Sequence, residues 1–144
     1  KSERTRPASR SKSRSGLVCP APKARFSNYY GDPRGGHRHA GIDMLGKRGM
    51  PLYAIENGYV VRAGKQSDGA NRIVIQGTQT GAKYYYGHNS KHLMSNGQRF
   101  KAGAVIALMG YSGSPGINHL HFEWWKSGGE SAHVNPYELL KRIC

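Results

Sequence analysis

Seven histidines are spread along the chain: His37, His39, His88, His92, His119, His121 and His133. Two groupings among them carry chemistry. In His119-Leu120-His121-Phe122-Glu123-Trp124-Trp125, polar and apolar residues alternate as in a strand, whose successive side chains point to opposite faces. His119, His121 and Glu123 then share one face; Leu120, Phe122 and Trp124 share the other. Turning the apolar face to the core leaves two imidazoles about 6–7 Å apart at Cα on an anchored strand. Imidazole is the commonest side-chain metal ligand and also serves acid–base work near neutral pH. Glu123 lies one alternation beyond His121 and reads as structural.

The second grouping is His39-Ala40-Gly41-Ile42-Asp43. On a fully extended strand His39 and Asp43 would stand about 13 Å apart, too far for one ion with bonds of about 2.1 Å. The surrounding Gly35, Gly36, Gly41 and Gly46 argue against a helix. The backbone must therefore curve between the two, and Gly41 permits that. His39, Asp43 and one histidine of the 119/121 pair make a three-ligand set suited to Zn²⁺, with a fourth position open. The other histidine of the pair stays free for proton transfer. A third piece is Tyr84-Tyr85-Tyr86-Gly87-His88, where alternation puts Tyr84, Tyr86 and His88 on one face and Tyr85 on the other.

The elements that must position these residues are short strands. Pro51–Ala54, Tyr59–Ala63, Arg72–Gln76, Lys83–Gly87, Arg99–Phe100, Val105–Met109 and His119–Trp125 are β-prone runs between turn signals. Asn57-Gly58 reads as a hairpin turn joining the first two, and Asn96-Gly97 as another turn. The one helix expected is 135–143, with Asn135 as N-cap, Pro136 first in the helix and Glu138 in the first turn. The fold class is mainly β: a compact antiparallel sheet domain with one short C-terminal helix. With 144 residues, 20 of them Gly, the chain suits one turn-rich β domain and excludes a long helical bundle. No apolar run reaches about 18 residues, so no transmembrane helix is expected.

Residues 1–16 hold six Lys or Arg, one Glu and no large apolar side chain. They read as a basic, disordered arm or linker, with 17–144 as the folded domain. The whole chain carries +14, and nine of those net charges lie beyond the arm. Such a balance favours anionic partners. The sequence has no recognition helix or aromatic nucleic-acid motif, so nucleic acid is not expected. Cys19 and Cys144 bracket the folded part. They read as a disulfide made in an oxidising compartment, stabilising by about 4–5 kcal/mol through the long loop it closes.

Several segments together resemble a known family. They are Arg38-His39-Ala40-Gly41-Ile42-Asp43, Gly49-Met50-Pro51-Leu52-Tyr53-Ala54, Gly58-Tyr59-Val60, Tyr86-Gly87-His88, Asn96-Gly97-Gln98, Lys101-Ala102-Gly103 and His119-Leu120-His121-Phe122-Glu123. In order and spacing they are similar to the lysostaphin-type (LytM-domain) zinc endopeptidases of bacterial cell walls, over roughly residues 26–140. The resemblance implies His39, Asp43 and His121 as ligands of one Zn²⁺, with His88 and His119 as catalytic histidines. It implies a groove over the metal and hydrolysis of peptide bonds in peptidoglycan stems or cross-links. It places the protein in the bacterial envelope: periplasm, cell wall or secreted. Tyr84, Tyr86 and Asn118 are expected to line the substrate groove. Some relatives have lost ligands and act as non-catalytic activators or wall-binding modules, which is the alternative reading. Asn89, where the family is often apolar, and the aromatic Tyr84–Tyr86 run are departures that bear on substrate preference. Peptidoglycan is the expected partner, with anionic wall polymers along the basic arm, and the chain is expected to be a monomer. His37, His92 and His133 read as bystanders, although His37, beside Arg38, could line the groove.

Overall fold

The alternating runs pair into antiparallel sheets. A computed structural model describes residues 16–34, 36–114 and 116–144. The expectation for the 1–16 arm falls, apart from Gly16, outside the described residues. The strands are β1 (Pro33–Arg34), β2 (His37–Arg38), β3 (Ile42–Leu45), β4 (Pro51–Tyr53), β5 (Gly58–Lys65), β6 (Asn71–Gly77) and β7 (Lys83–Gly87). They continue with β8 (Lys91–His92), β9 (Arg99–Phe100), β10 (Val105–Leu108), β11 (His119–Trp125) and β12 (His133–Val134). A 3-10 turn at Glu130–Ala132 precedes β12, and helix α1 (Tyr137–Ile143) ends the chain.

The main sheet runs β12-β11-β7-β6-β5-β9, and β3 joins it by pairing with β11. A second sheet, β4-β10-β8, and the β1-β2 ribbon lie apart from that path. Strand β11 is the organiser. Its first half pairs with β3, setting His121 opposite Asp43, while its other edge sets His121 opposite Gly87 of β7. Leu120 and Phe122 point into a core with Ile42, Met44, Ile73, Ile75, Tyr84 and Tyr86, as the period of two requires. On the opposite face Val74, Tyr85 and Trp125 form a small buried cluster under the site.

Two details of the expected layout change. Asn57-Gly58 is not a hairpin turn, because β4 pairs with β10 and β5 pairs with β6 and β9. Glycine is required at 58 for a different reason. A Cβ there would sit 1.9 Å from the Gln76 carbonyl oxygen. Asn57 instead ties sheets together, accepting from the Ala102 N–H through its side chain and from the Thr78 N–H through its carbonyl. The helix begins one residue later than expected: Pro136 is the N-cap, its carbonyl accepting from Leu140. Asn135 still accepts from the Tyr137 N–H, one step outside the helix.

Cys19 and Cys144 are bonded, 125 residues apart in sequence. The bond fixes the helix end beside the buried Leu17–Cys19 segment, with Leu139 and Leu140 packed beneath. A second anchor is Glu56, fully buried and, among the described residues, in no ion pair. Its carboxylate accepts from the Tyr84 hydroxyl, the Thr80 hydroxyl and the N–H groups of Gln79 and Thr80. Burial next to this carboxylate pushes the Tyr84 hydroxyl pKa well up, so Tyr84 stays a donor. Removing the acceptor strands several buried donors. Glu56→Ala is expected to cost roughly 3–5 kcal/mol, read as a lowered urea midpoint, while zinc binding by the surviving folded fraction is unchanged.

Candidate metal centre

His39 and Asp43 meet because the chain bends before β3 begins. Asp43 is on the strand, His39 is not, and Nε2 of His39 lies 3.2 Å from Oδ1 of Asp43. Gly41 serves the bend by lacking a side chain rather than by an unusual φ. A Cβ there would lie 2.1 Å from the Phe122 carbonyl oxygen and hold β3 away from β11. Register then supplies the third group, with His121 Nδ1 3.0 Å from Asp43 Oδ1 and 3.2 Å from His39 Nε2. One ligand atom from each of His39, Asp43 and His121 lies within 4.8 Å of the others, and all three residues are buried or half-buried.

The remaining nitrogens of the two rings are engaged by acceptors. His39 Nδ1 donates to the Tyr29 carbonyl at 3.1 Å, and His121 Nε2 donates to Glu123 Oε2 at 2.8 Å. The nitrogens facing Asp43 are therefore the ones that give up a proton and present a lone pair when a metal binds, the arrangement a metal-binding histidine needs. The donor set, two imidazole nitrogens and one carboxylate oxygen, fits a zinc ion with an open position. Glu123 is itself held: its Oε1 accepts from Trp125 Nε1 at 2.7 Å, and it is 5% exposed. Its structural role is thus to orient His121. Glu123→Gln is expected to lower zinc affinity about 10–100-fold, measured by competition with a chromogenic chelator.

The electrostatics follow from the same contacts. Burial alone would raise the Asp43 carboxyl, but the hydrogen bonds and positive charge of His121 and His39 hold it well below the usual carboxylate range. Burial disfavours charge on His121, yet its bonds to Asp43 and Glu123 prevail and push it up to about 9.

His119 and His88 stand beside this cluster, with ring centroids 4.6 Å apart. His119 Nδ1 donates to the Ile117 carbonyl at 3.0 Å, and His88 Nδ1 donates to the Ser112 carbonyl at 2.7 Å. A carbonyl only accepts, so in both neutral rings Nε2 carries the free lone pair. Nε2 of His119 is 3.7 Å from Asp43 Oδ1. Burial holds the His88 pKa down, with the Ser112 bond opposing it.

The cleft over these groups has a volume of about 590 Å³. Its lining corrects three expectations. Tyr84 and Tyr86 are in the core, at 1% and 0% exposure, and do not reach the cleft. Tyr85 does, edge-on to His121 with ring centroids 5.7 Å apart. His88 escapes the alternation that put it with Tyr84 and Tyr86. The strand ends at Gly87, and His88 takes a left-handed φ of 68° that turns it to the cleft side. Asn118 is not in the lining, its place being taken by Ile117 and Ser114. Its backbone carbonyl accepts from the Gly46 N–H. Of the histidines read as bystanders, His37 lines the cleft, His92 bonds Asn89 and His133 bonds Tyr30. Arg34, Leu45 and Asp68 are cleft residues that sequence reasoning missed. Nothing in their local pattern marks them, since they arrive from three separate strands and turns.

These geometries stand within a recognisable class of domain. The chain belongs to peptidase family M23, whose profile matches residues 37–136. It is similar to the catalytic domain of the antimicrobial peptidase lysostaphin from Staphylococcus simulans, with TM-score 0.73 and 31% identity. That match covers 82% of this chain and 92% of the lysostaphin chain. It is 36% identical over 107 residues to the lipoprotein NlpD/LppB homolog of Pseudomonas aeruginosa, covering 74% of this chain and 35% of that protein. It is 34% identical over 111 residues to the murein hydrolase activator NlpD of Escherichia coli K12, covering 77% and 28% respectively. The chain thus spans about a third of the length of these two relatives. Among the described residues no helix is long and apolar enough to cross a membrane.

Proposed function

We propose that this chain is a catalytically competent zinc endopeptidase of the bacterial cell envelope, hydrolysing peptide bonds in the stems or cross-links of peptidoglycan. The observation that carries the reading is the convergence of His39 Nε2, Asp43 Oδ1 and His121 Nδ1 beneath a cleft that also holds His88 and His119. A zinc ion held by these three groups supplies Lewis acidity toward a peptide carbonyl and acidifies a water molecule. The protein's own contribution is proton handling and positioning. Nε2 of His119 and Nε2 of His88 face the cleft as free lone pairs when neutral. Between them they accept the proton of the attacking water and return one to the leaving amine. Their Nδ1–H bonds to Ile117 and Ser112 keep each ring in that tautomer. Glu123 and the Tyr29 carbonyl do the same for the ligand histidines.

A second reading is a non-catalytic activator or wall-binding module of the same fold. It is favoured by the relative named as a murein hydrolase activator. The excess of basic residues gives either kind of module a means of holding anionic wall polymers. Digestion of purified sacculi of two cross-link types, with and without a zinc chelator, separates the readings. The hydrolase gives chelator-sensitive loss of cross-linked muropeptides. Intact sacculi with bound zinc, together with stimulation of a separate wall hydrolase, would establish the activator instead.

A further inference from the structure

The cleft holds two charged side chains that neither the metal cluster nor the proton-transfer pair uses. Arg34 comes from β1 and Asp68 from the turn between β5 and β6. Both line the cleft, with Arg34 on the side of the His39 ring. The Arg34 guanidinium lies 3.4 Å from His39 Nδ1. The rings of His39 and His121 are 5.0 Å apart, and those of His121 and His88 are 6.0 Å apart. Asp68 lines the same cleft as His88 and lies within electrostatic reach of it.

Among the described residues, no ion pair involves Arg34 or Asp68. The approach of Arg34 to His39 is no hydrogen bond, since Nδ1 of that ring already gives its proton to Tyr29 and both partners would be donors. What remains for Arg34 is a long 3.4 Å contact to the Pro33 carbonyl. Asp68 accepts from the Ala70 N–H and from Gln66, which orients it without balancing its charge. An acid left unpaired in a site is unusual in a chain with 22 Lys and Arg and only 8 acids.

We propose that Arg34 and Asp68 select a peptide of opposite charges. The substrate carries a carboxylate on the His39 side and an ammonium on the His88 side of the bond that is cut. The inference rests on the peptidase reading above and names the substrate class of the same site. A peptide containing a diamino acid with a free amine and a nearby free carboxylate meets both demands. A run of glycines meets neither. Arg34 offers a planar fork suited to a carboxylate. Asp68 is exposed, so its contribution is smaller.

The test uses the zinc-loaded chain and four synthetic peptides of equal length. One is a stem-type peptide with free amine and carboxylate. Two others have the carboxylate amidated or the amine acetylated, and the fourth is all glycine. Equilibrium binding by fluorescence polarisation is measured beside cleavage by mass spectrometry. The expected order is free peptide first, each blocked peptide weaker, and polyglycine weakest. Arg34→Gln should weaken the free peptide about tenfold and leave the amidated peptide unchanged. Asp68→Asn should weaken it several-fold and leave the acetylated peptide unchanged. Equal binding of all four peptides, or variants that weaken all four alike, would overturn the proposal even if every peptide is cleaved. Charge-dependent binding without cleavage would support the two-charge selector while removing the peptidase reading. Tighter binding of polyglycine than of the free peptide would overturn it outright.

Discussion

Asp43→Ala is expected to abolish zinc binding and, with it, the proposed peptidase activity. Three ring nitrogens look to one oxygen of this carboxylate: His121 Nδ1 at 3.0 Å, His39 Nε2 at 3.2 Å and His119 Nε2 at 3.7 Å. Without it, two imidazoles are left to hold a dication with no charge to neutralise it. The loss exceeds that of a peripheral contact because the carboxylate also acts before metal arrives. It keeps the ligand rings turned inward. The Asp43 side chain is 30% exposed, so the core survives its removal. Equilibrium dialysis should show less than one-tenth of a zinc equivalent on a protein whose circular dichroism matches the parent. Retention of a full equivalent would sink the ligand assignment.

The same equilibrium should depend on pH in a stated direction. In the metal-free protein the His121 ring holds a proton up to about pH 9. Zinc requires the lone pair at Nδ1, so that proton must leave below pH 9. Apparent zinc affinity should therefore rise with pH, by about tenfold per unit from this group, and level off near 9. A flat profile between pH 6 and 8 would mean that His121 is not the group displaced.

Much of this site was legible because it hangs on period-two alternation. The face shared by His119, His121 and Glu123 follows from β11 alone, and the core face of Leu120 and Phe122 is its complement. The need for a bend between His39 and Asp43 followed from strand length. The cause of that bend did not: Gly41 is demanded by the Phe122 carbonyl of another strand, which no local pattern reveals. His88 shows the limit of alternation most clearly. One left-handed residue after Gly87 reverses the face, so the tyrosine at the cleft is Tyr85 rather than Tyr84 or Tyr86. Asn57-Gly58 misled in the same way. A dipeptide with strong turn preference was recruited to bridge sheets because the partner of β4 is β10. Arg34 and Asp68 were invisible because their meaning lies in what faces them across the cleft.

His119→Ala should separate binding from chemistry: the variant keeps a full equivalent of zinc and loses about 10²–10⁴-fold in kcat. The argument turns on which nitrogen of each paired histidine faces the ligand cluster. His121 presents Nδ1, at hydrogen-bond distance from Asp43, with Nε2 fixed by Glu123. His119 presents Nε2, at 3.7 Å, with Nδ1 fixed by the Ile117 carbonyl. The first ring belongs to the cluster of three donor atoms and the second stands beside it. That position suits the proton exchange with a molecule in the cleft proposed for His119. His119 is 5% exposed, so truncation leaves a cavity, and a modest fall in thermal stability should accompany the loss of turnover. His119→Gln fills that volume and keeps a polar group but cannot gain a proton. It should restore the stability and not the rate. Restoration of rate by glutamine would show that the ring is needed only for its shape or its hydrogen bonds, and proton transfer would then fall to His88 alone.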